Sequence, residues 1–316
     1  MKKIGIVTPV YNEEDNLPVY YETITRIMHS VGDYSYEILL IDNCSTDNSR
    51  DYIRELCKKD NHIKAIFNIM NFGFNNSVYH GLRNSDADCT ILINCDLQDP
   101  PELIPQFVTE WENGYKVVLG IKQRSDEIIV MRALRRFYYG VVDLMSEKRQ
   151  VLNHTGFGLY DKQFINILNA INDPAPYLKE LVSSFSFKCK EIPYHQNARE
   201  RGKGVTNLYV LYDDAMTGLT KTSKKLMRIS TFLGAVIGFA SLLFAIKQII
   251  LKIMSPSEYE LGIAFIAVGV FVLSALQLFF TGILGEYILS INTKTANRPE
   301  VFEEERINFS DDSRNN

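Results

Sequence analysis

The sequence predicts an α/β catalytic domain on a mostly parallel sheet, followed by an amphipathic helix and a hairpin of two membrane-spanning helices. Three observations predict it. Short aliphatic runs alternate with helical patterns through the first third of the chain. Acidic and amide residues cluster directly after two of those runs. Charge is scattered through residues 1–228 but nearly vanishes over 231–291, where Lys247, Lys252, Glu258, Glu260 and Glu286 are the exceptions.

Taken in order, residues 4–10, 36–42, 63–67 and 90–94 have the composition of strands buried on both faces. Between the first two, Asn16 can cap a helix in which Leu17, Tyr20, Tyr21, Ile24, Ile27 and Met28 recur at helical spacing. Residues 47–59 repeat the pattern with Ile53, Leu56 and Cys57. Pro100-Pro101 opens a further helix through Trp111, Asn113-Gly114 ends it, and residues 116–120 supply another strand. Such alternation builds a parallel sheet with ligands at the carboxyl ends of its strands. The catalytic domain is expected over residues 1–206.

Residues 207–228 mix Leu208, Leu211, Tyr212, Ala215, Met216 and Leu219 with a basic end, the pattern of an amphipathic helix lying on a membrane surface. Two apolar runs follow, 229–254 and 261–291, each longer than the roughly 20 residues that cross a bilayer. Lys221, Lys224, Lys225 and Arg228 precede the first run, and Lys294 and Arg298 follow the second. The connecting loop carries only acids. The positive-inside rule then puts the catalytic domain and both termini on the cytoplasmic face of a multi-pass inner-membrane protein. Lys247 and Lys252 suit snorkelling to the outer interface. Gly234, Ala235 and Gly238 suit close helix packing in a homo-oligomer. The acidic, polar tail at 292–316 reads as disordered.

Composition removes several classes. A net charge of −4 provides no basic field for nucleic acid. The five cysteines are odd in number and form no CxxC pair, which argues against a disulfide framework or a zinc site. Met1-Lys2-Lys3 leads into an apolar stretch that Pro9, Asn12 and Glu13 interrupt, a first strand and not a signal peptide.

The first strand ends in Pro9-Val10-Tyr11-Asn12-Glu13-Glu14 and lacks the glycines of a dinucleotide fingerprint. Tyr11 can offer its ring to a base, and Glu13 or Asp42 can accept hydrogen bonds from base or ribose. Asp42 suits a turn cap equally well. The fourth strand ends in Asp96-Leu97-Gln98-Asp99-Pro100-Pro101-Glu102. Asp96 and Gln98 supply hard oxygens at alternate positions, as Mg²⁺ or Mn²⁺ bridging to a diphosphate requires, although a solvated turn has the same composition.

PVYNEE at 9–14, IDNCSTDNS at 41–49, DLQDPPE at 96–102, NHTGFGLYD at 153–161 and RERGKGVTN at 199–207 stand in one order ahead of the two apolar runs. Together they resemble the family 2 glycosyltransferases of the GT-A fold, in particular the polyprenyl-phosphate branch with dolichyl-phosphate mannose synthase and the bacterial bactoprenol glucosyltransferases. The resemblance implies that Pro9, Tyr11, Asn12, Glu13 and Asp42 hold the nucleoside, while Asp96 and Gln98 hold the divalent cation and the diphosphate. It implies that Lys122, Arg124, Arg201 and Lys203 face the acceptor phosphate, with Asp96, Lys122, Arg124 and Arg201 as the catalytic set. Asn94 and Asn153 depart from the acidic residues that many relatives carry there.

The implied reaction moves a hexose, from UDP by resemblance, onto undecaprenyl or another polyprenyl phosphate. A phosphate monoester is largely a dianion at cytosolic pH and needs no base, so positioning and charge neutralisation suffice, and one in-line displacement inverts the anomeric centre. Rival readings are an anchored transferase acting on a saccharide or protein, a non-catalytic nucleotide-sugar-binding scaffold, and a processive synthase. The last lacks its Q-x-x-R-W motif here, since the sole tryptophan is Trp111.

Overall fold

The computed structural model describes residues 1–123, 154–171, 177–185, 187–197, 225–254, 263–295 and 301–309. The catalytic unit opens with β1 (Lys3–Val10), α1 (Leu17–Ser30), β2 (Ser35–Asp42), α2 (Ser49–Lys59), β3 (Ile63–Asn68), α3 (Phe74–Arg83) and β4 (Cys89–Leu92). A 3₁₀ turn at Pro101–Leu103 then runs into α4 (Ile104–Glu112), because the second proline suits a first turn whose N–H groups need no partner. β5 (Val117–Lys122), β6 (Gly158–Asp161), α5 (Lys162–Ala170), α6 (Leu178–Ser184) and β7 (Cys189–Tyr194) follow.

These strands form one eight-stranded sheet in the order β7-β5-β6-β4-β1-β2-β3-β8, where β8 is Glu303–Ile307. The pairs β1–β2, β1–β4, β2–β3 and β5–β7 are parallel, whereas β6 is antiparallel to β4 and β5. Helices cover both faces, which is why the strands carry near-continuous aliphatic runs. Ile4, Ile6, Ile38 and Leu40 pack with Leu17 and Ile24 of α1, Ile53 of α2 and Phe107 of α4. Val7, Leu39, Ile41 and Ile66 pack on the other face with Val78 and Leu82 of α3, Phe164 of α5 and Leu181 of α6. Tyr79 fastens α3 to α5 by donating its hydroxyl to the carbonyls of Leu168 and Ile171, at 2.9 and 3.0 Å.

Two expectations need correction. Asn16 does precede α1, but its amide donates to Glu13 and caps no helix N–H. The tail expected to be disordered is ordered over residues 301–309: β8 pairs antiparallel with β3 and extends the sheet. The order has a physical source. Arg54 and Arg50 meet Glu305 and Glu304, while Asn308 donates to the carbonyls of Cys57 and Ile63, at 2.8 and 2.7 Å.

A separate unit contains the long helices α7 (Lys225–Met254) and α8 (Ile263–Thr295). Among the described residues one stretch, Val272–Asn292, is long and apolar enough to cross a membrane. The expected amphipathic helix at 207–228 falls outside the described residues up to 224, as does the loop 255–260.

Candidate active site

At the carboxyl ends of β1 and β2, two loops are laced together. The Asn12 N–H donates to Ser45 Oγ at 3.0 Å, and Glu13 N–H donates to Ser49 Oγ at 2.9 Å. In return Thr46 N–H donates to Asn12 Oδ1 at 2.8 Å, and Asn48 N–H to Glu14 Oε2 at 2.9 Å. Asn12 and Cys44 both have positive φ, at 55° and 63°, so each loop turns sharply to meet the other. Asn12, expected at the nucleoside, also braces the opposite loop through its side-chain oxygen. Pro9, Tyr11 and Glu13 flank this brace and are only partly buried.

Asp42 lies beneath it with no exposed surface. Its carboxylate accepts from Ser45 N–H at 3.2 Å and stands 3.2 Å from Arg50 Nε. Burial raises its pKa above the usual carboxylate range, opposed by the bonds from Ser45 and the charge of Arg50. Placement therefore favours the turn-cap alternative: Asp42 shapes the 42–49 loop from below.

Past β4, Leu97 has positive φ (51°), which lets Asp96 Oδ1 accept from Gln98 N–H at 3.2 Å in a tight turn. Asp96 and Gln98 are both partly exposed, whereas Asp99 is 1% exposed. Asp99 accepts from the Tyr194 hydroxyl, from Thr155 Oγ1 at 3.1 Å and from Gln196 Nε2 at 3.4 Å. Burial pushes its pKa up, while the Tyr194 and Thr155 bonds pull it down. Asn94 Nδ2 stands 3.5 Å from Asp99 Oδ2. An amide there can donate, where a second carboxylate would repel.

The same network reaches Lys122, the last residue of β5, whose ammonium donates to Gln196 Oε1. Asn197 N–H also donates to the carbonyl of Gln98 at 2.9 Å. The structure thus brings Asp96, Gln98 and Lys122 to one end of the sheet through residues that sequence reasoning missed: Thr155, Tyr194 and Gln196. Only Thr155 had a signal, its place in the NHTGFGLYD segment. Gly120 makes room for the network, since a Cβ there would stand 3.0 Å from the Tyr194 ring. Arg124, Arg201 and Lys203 lie outside the described residues, as does Asn153.

Among the described residues no three His, Cys, Asp or Glu side chains converge on one point. Among the described residues, Asp96 and Gln98 would offer a divalent cation one carboxylate and one amide oxygen. Both are hard donors, and such a sparse set fits a cation that takes its remaining oxygens from substrate and water.

The model of glycosyl transferase family 2 matches residues 5–185. The chain belongs to this family. As a family 2 glycosyltransferase it has the GT-A fold and takes its sugar from a nucleotide sugar. It is 27% identical over 298 residues to an uncharacterized glycosyltransferase of Synechocystis sp., covering 94% of this chain and 93% of that one. Similar solved structures include glucosyl-3-phosphoglycerate synthase from Mycobacterium tuberculosis in complex with Mn²⁺, UDP and phosphoglyceric acid. It is 16% identical, with TM-score 0.49, over 69% of this chain and 76% of that one. Another is the mannosyltransferase PcManGT of Pyrobaculum calidifontis with GDP-Man and Mn²⁺, 12% identical with TM-score 0.47, over 94% and 88% of the two chains.

Proposed function

We propose that this family 2 glycosyltransferase moves a hexose from a nucleoside diphosphate, UDP in preference, onto polyprenyl phosphate at the cytoplasmic membrane face, with inversion. The observation that carries the reading is the network from Lys122 through Gln196 to Asp99, which sets a cation beside the Asp96–Gln98 loop. A cation there suits two anionic reactants that must approach each other.

In this reading Pro9, Tyr11 and Glu13 receive the nucleoside, while Asn12 and Asp42 hold the two loops in shape. Asp96 and Gln98 hold Mg²⁺ or Mn²⁺, which when bound neutralises charge on the departing diphosphate. Lys122, Arg124, Arg201 and Lys203 hold the acceptor phosphate and offset its repulsion from the donor. The lipid phosphate attacks as a dianion, so no side chain needs to remove a proton.

The membrane reading gains support from β8. That strand pairs with β3, so the catalytic unit holds chain both before α7 and after α8. If α8 spans the bilayer, an even number of crossings is required, and α7 supplies the second. Both flanks are then cytoplasmic, as the charge asymmetry requires.

The test is a panel of radiolabelled nucleotide sugars incubated with membranes holding the protein, with and without added undecaprenyl phosphate. Label entering the lipid fraction only with lipid phosphate supports the reading. Label entering protein or free saccharide overturns the acceptor.

A further inference from the structure

We propose that the C-terminal strand β8 is a strap that backs the donor loops, with Glu304 and Arg50 as positioning residues that hold Asp42. The proposal rests on the reading that the loops at 11–14 and 42–49 receive the nucleoside.

Ile307, Arg306 and Glu305 oppose Ala65, Ile66 and Phe67, but Glu303 opposes Asn68, so Glu304 is the extra residue of a β-bulge. In a regular strand neighbouring side chains point to opposite faces, and Glu304 and Glu305 would part company. The bulge lets both reach α2. Glu304 Oε2 lies 2.6 Å from Arg50 Nη2, and Glu305 Oε2 lies 2.9 Å from Arg54 Nη2. The two arginines stand one helical turn apart, with both guanidiniums over the Phe67 ring, at 5.2 and 4.7 Å.

Only the first of these pairs leads to the donor loops. From Arg50 the contacts run to Asp42, from Asp42 to Ser45 N–H, and from Ser45 Oγ to the Asn12 N–H. Removing Arg50 leaves Asp42 buried without its cationic neighbour. The second pair, Glu305 with Arg54, ends on the surface of α2 beside Asp51.

The strap is anchored independently of Glu304. Glu303 binds His80 and Arg306, Arg306 Nη2 donates to Asn84 Oδ1 at 2.8 Å, and Ile69 N–H donates to the Phe302 carbonyl at 3.1 Å. Neutralising Glu304 should therefore leave β8 docked and release only its hold on Arg50.

The experiment titrates UDP and GDP, each with Mg²⁺, into full-length protein by calorimetry, and measures donor KM and kcat in parallel. Glu304→Gln should weaken binding of the preferred nucleotide about three-fold, the scale of a partly exposed ion pair. Arg50→Gln should weaken it about tenfold or more, as the loss of a charged partner to a buried carboxylate does. Donor KM should rise with kcat kept. Glu305→Gln, which removes an equivalent pair on the same strand, should bind nucleotide as the wild type does. If Arg50→Gln does not fold, the contrast between Glu304→Gln and Glu305→Gln decides alone. Equal losses in those two would overturn the positioning role, as would wild-type affinity in Glu304→Gln alongside lost affinity in Asp42→Asn. If Asp42→Asn and Glu13→Gln both bind normally, or the wild type binds neither nucleotide, the assignment of the nucleoside loops fails and the strap falls with it.

Discussion

Tyr194, the last residue of β7, donates its hydroxyl to the buried carboxylate of Asp99 in the loop after β4. Two segments far apart in sequence are thereby locked at one end of the sheet. Tyr194→Phe should remove a donor from a group that has no access to water and cost about 1–3 kcal/mol of stability. Urea denaturation measures it; an unchanged midpoint would show that Asp99 finds a replacement donor.

Under the proposed metal assignment, Asp96→Asn should remove the carboxylate that holds the divalent ion. Transfer should fall on the order of a hundredfold or more, since a metal supplies several kcal/mol of charge stabilisation. Chelation should reproduce the loss in the wild type, and the variant should remain folded and membrane-bound. Full activity of the variant in metal-free buffer would remove Asp96 and the metal together from the mechanism.

The acceptor side makes a different demand. Lys122→Ala, Arg124→Ala and Arg201→Ala should each weaken use of the lipid phosphate about tenfold or more, the scale of a charge-assisted bond, with donor affinity little changed. Initial rates against lipid phosphate, beside calorimetry with nucleotide, separate the two effects. A variant that loses donor affinity to the same degree belongs to the diphosphate site.

Glu303 gives the strap a pH dependence. Burial works to raise its pKa, yet His80 and Arg306 pull it down to about 2. An unfolded-chain glutamate titrates near 4.3. The depressed carboxylate therefore stabilises the fold fully above about pH 4.3 and progressively less as pH falls towards 2. Denaturation of wild type and Glu303→Gln at a series of pH values should show a stability gap that closes on acidification. A gap that stays constant would mean the ion pairs add nothing.

What the sequence disclosed follows from how local each signal is. The strands up to β5 announced themselves because burial on both faces demands aliphatic runs. α3 was not foreseen, since Phe74-Asn75-Asn76-Ser77 opens it with poor helix formers after Gly73 at φ 86°. β6 is four residues long and too short to carry a period. β8 has the composition of a disordered tail because Glu303-Glu304-Glu305-Arg306 has no apolar alternation. Its partners Arg50, Arg54 and His80 lie far upstream, and only the folded sheet unites them. The site divides the same way: Asp96 and Gln98 stand in a local motif, while Tyr194 and Gln196 act on Asp99 through long-range contacts.

Topology offers its own check. A cysteine at Ser257 should react with an impermeant maleimide from outside the cell, while one at Ser310 should be protected. Protection at 257 with labelling at 310 would invert the orientation.

The most direct measurement uses purified full-length protein, a radiolabelled UDP-hexose, Mg²⁺ or Mn²⁺, and undecaprenyl phosphate in detergent, with product chemistry as the readout. A lipid-linked sugar phosphate of inverted anomeric configuration should form in proportion to lipid phosphate, and should vanish in Asp96→Asn. Sugar released to water or passed to a saccharide at the same rate whether or not lipid phosphate is present would contradict the polyprenyl-phosphate assignment.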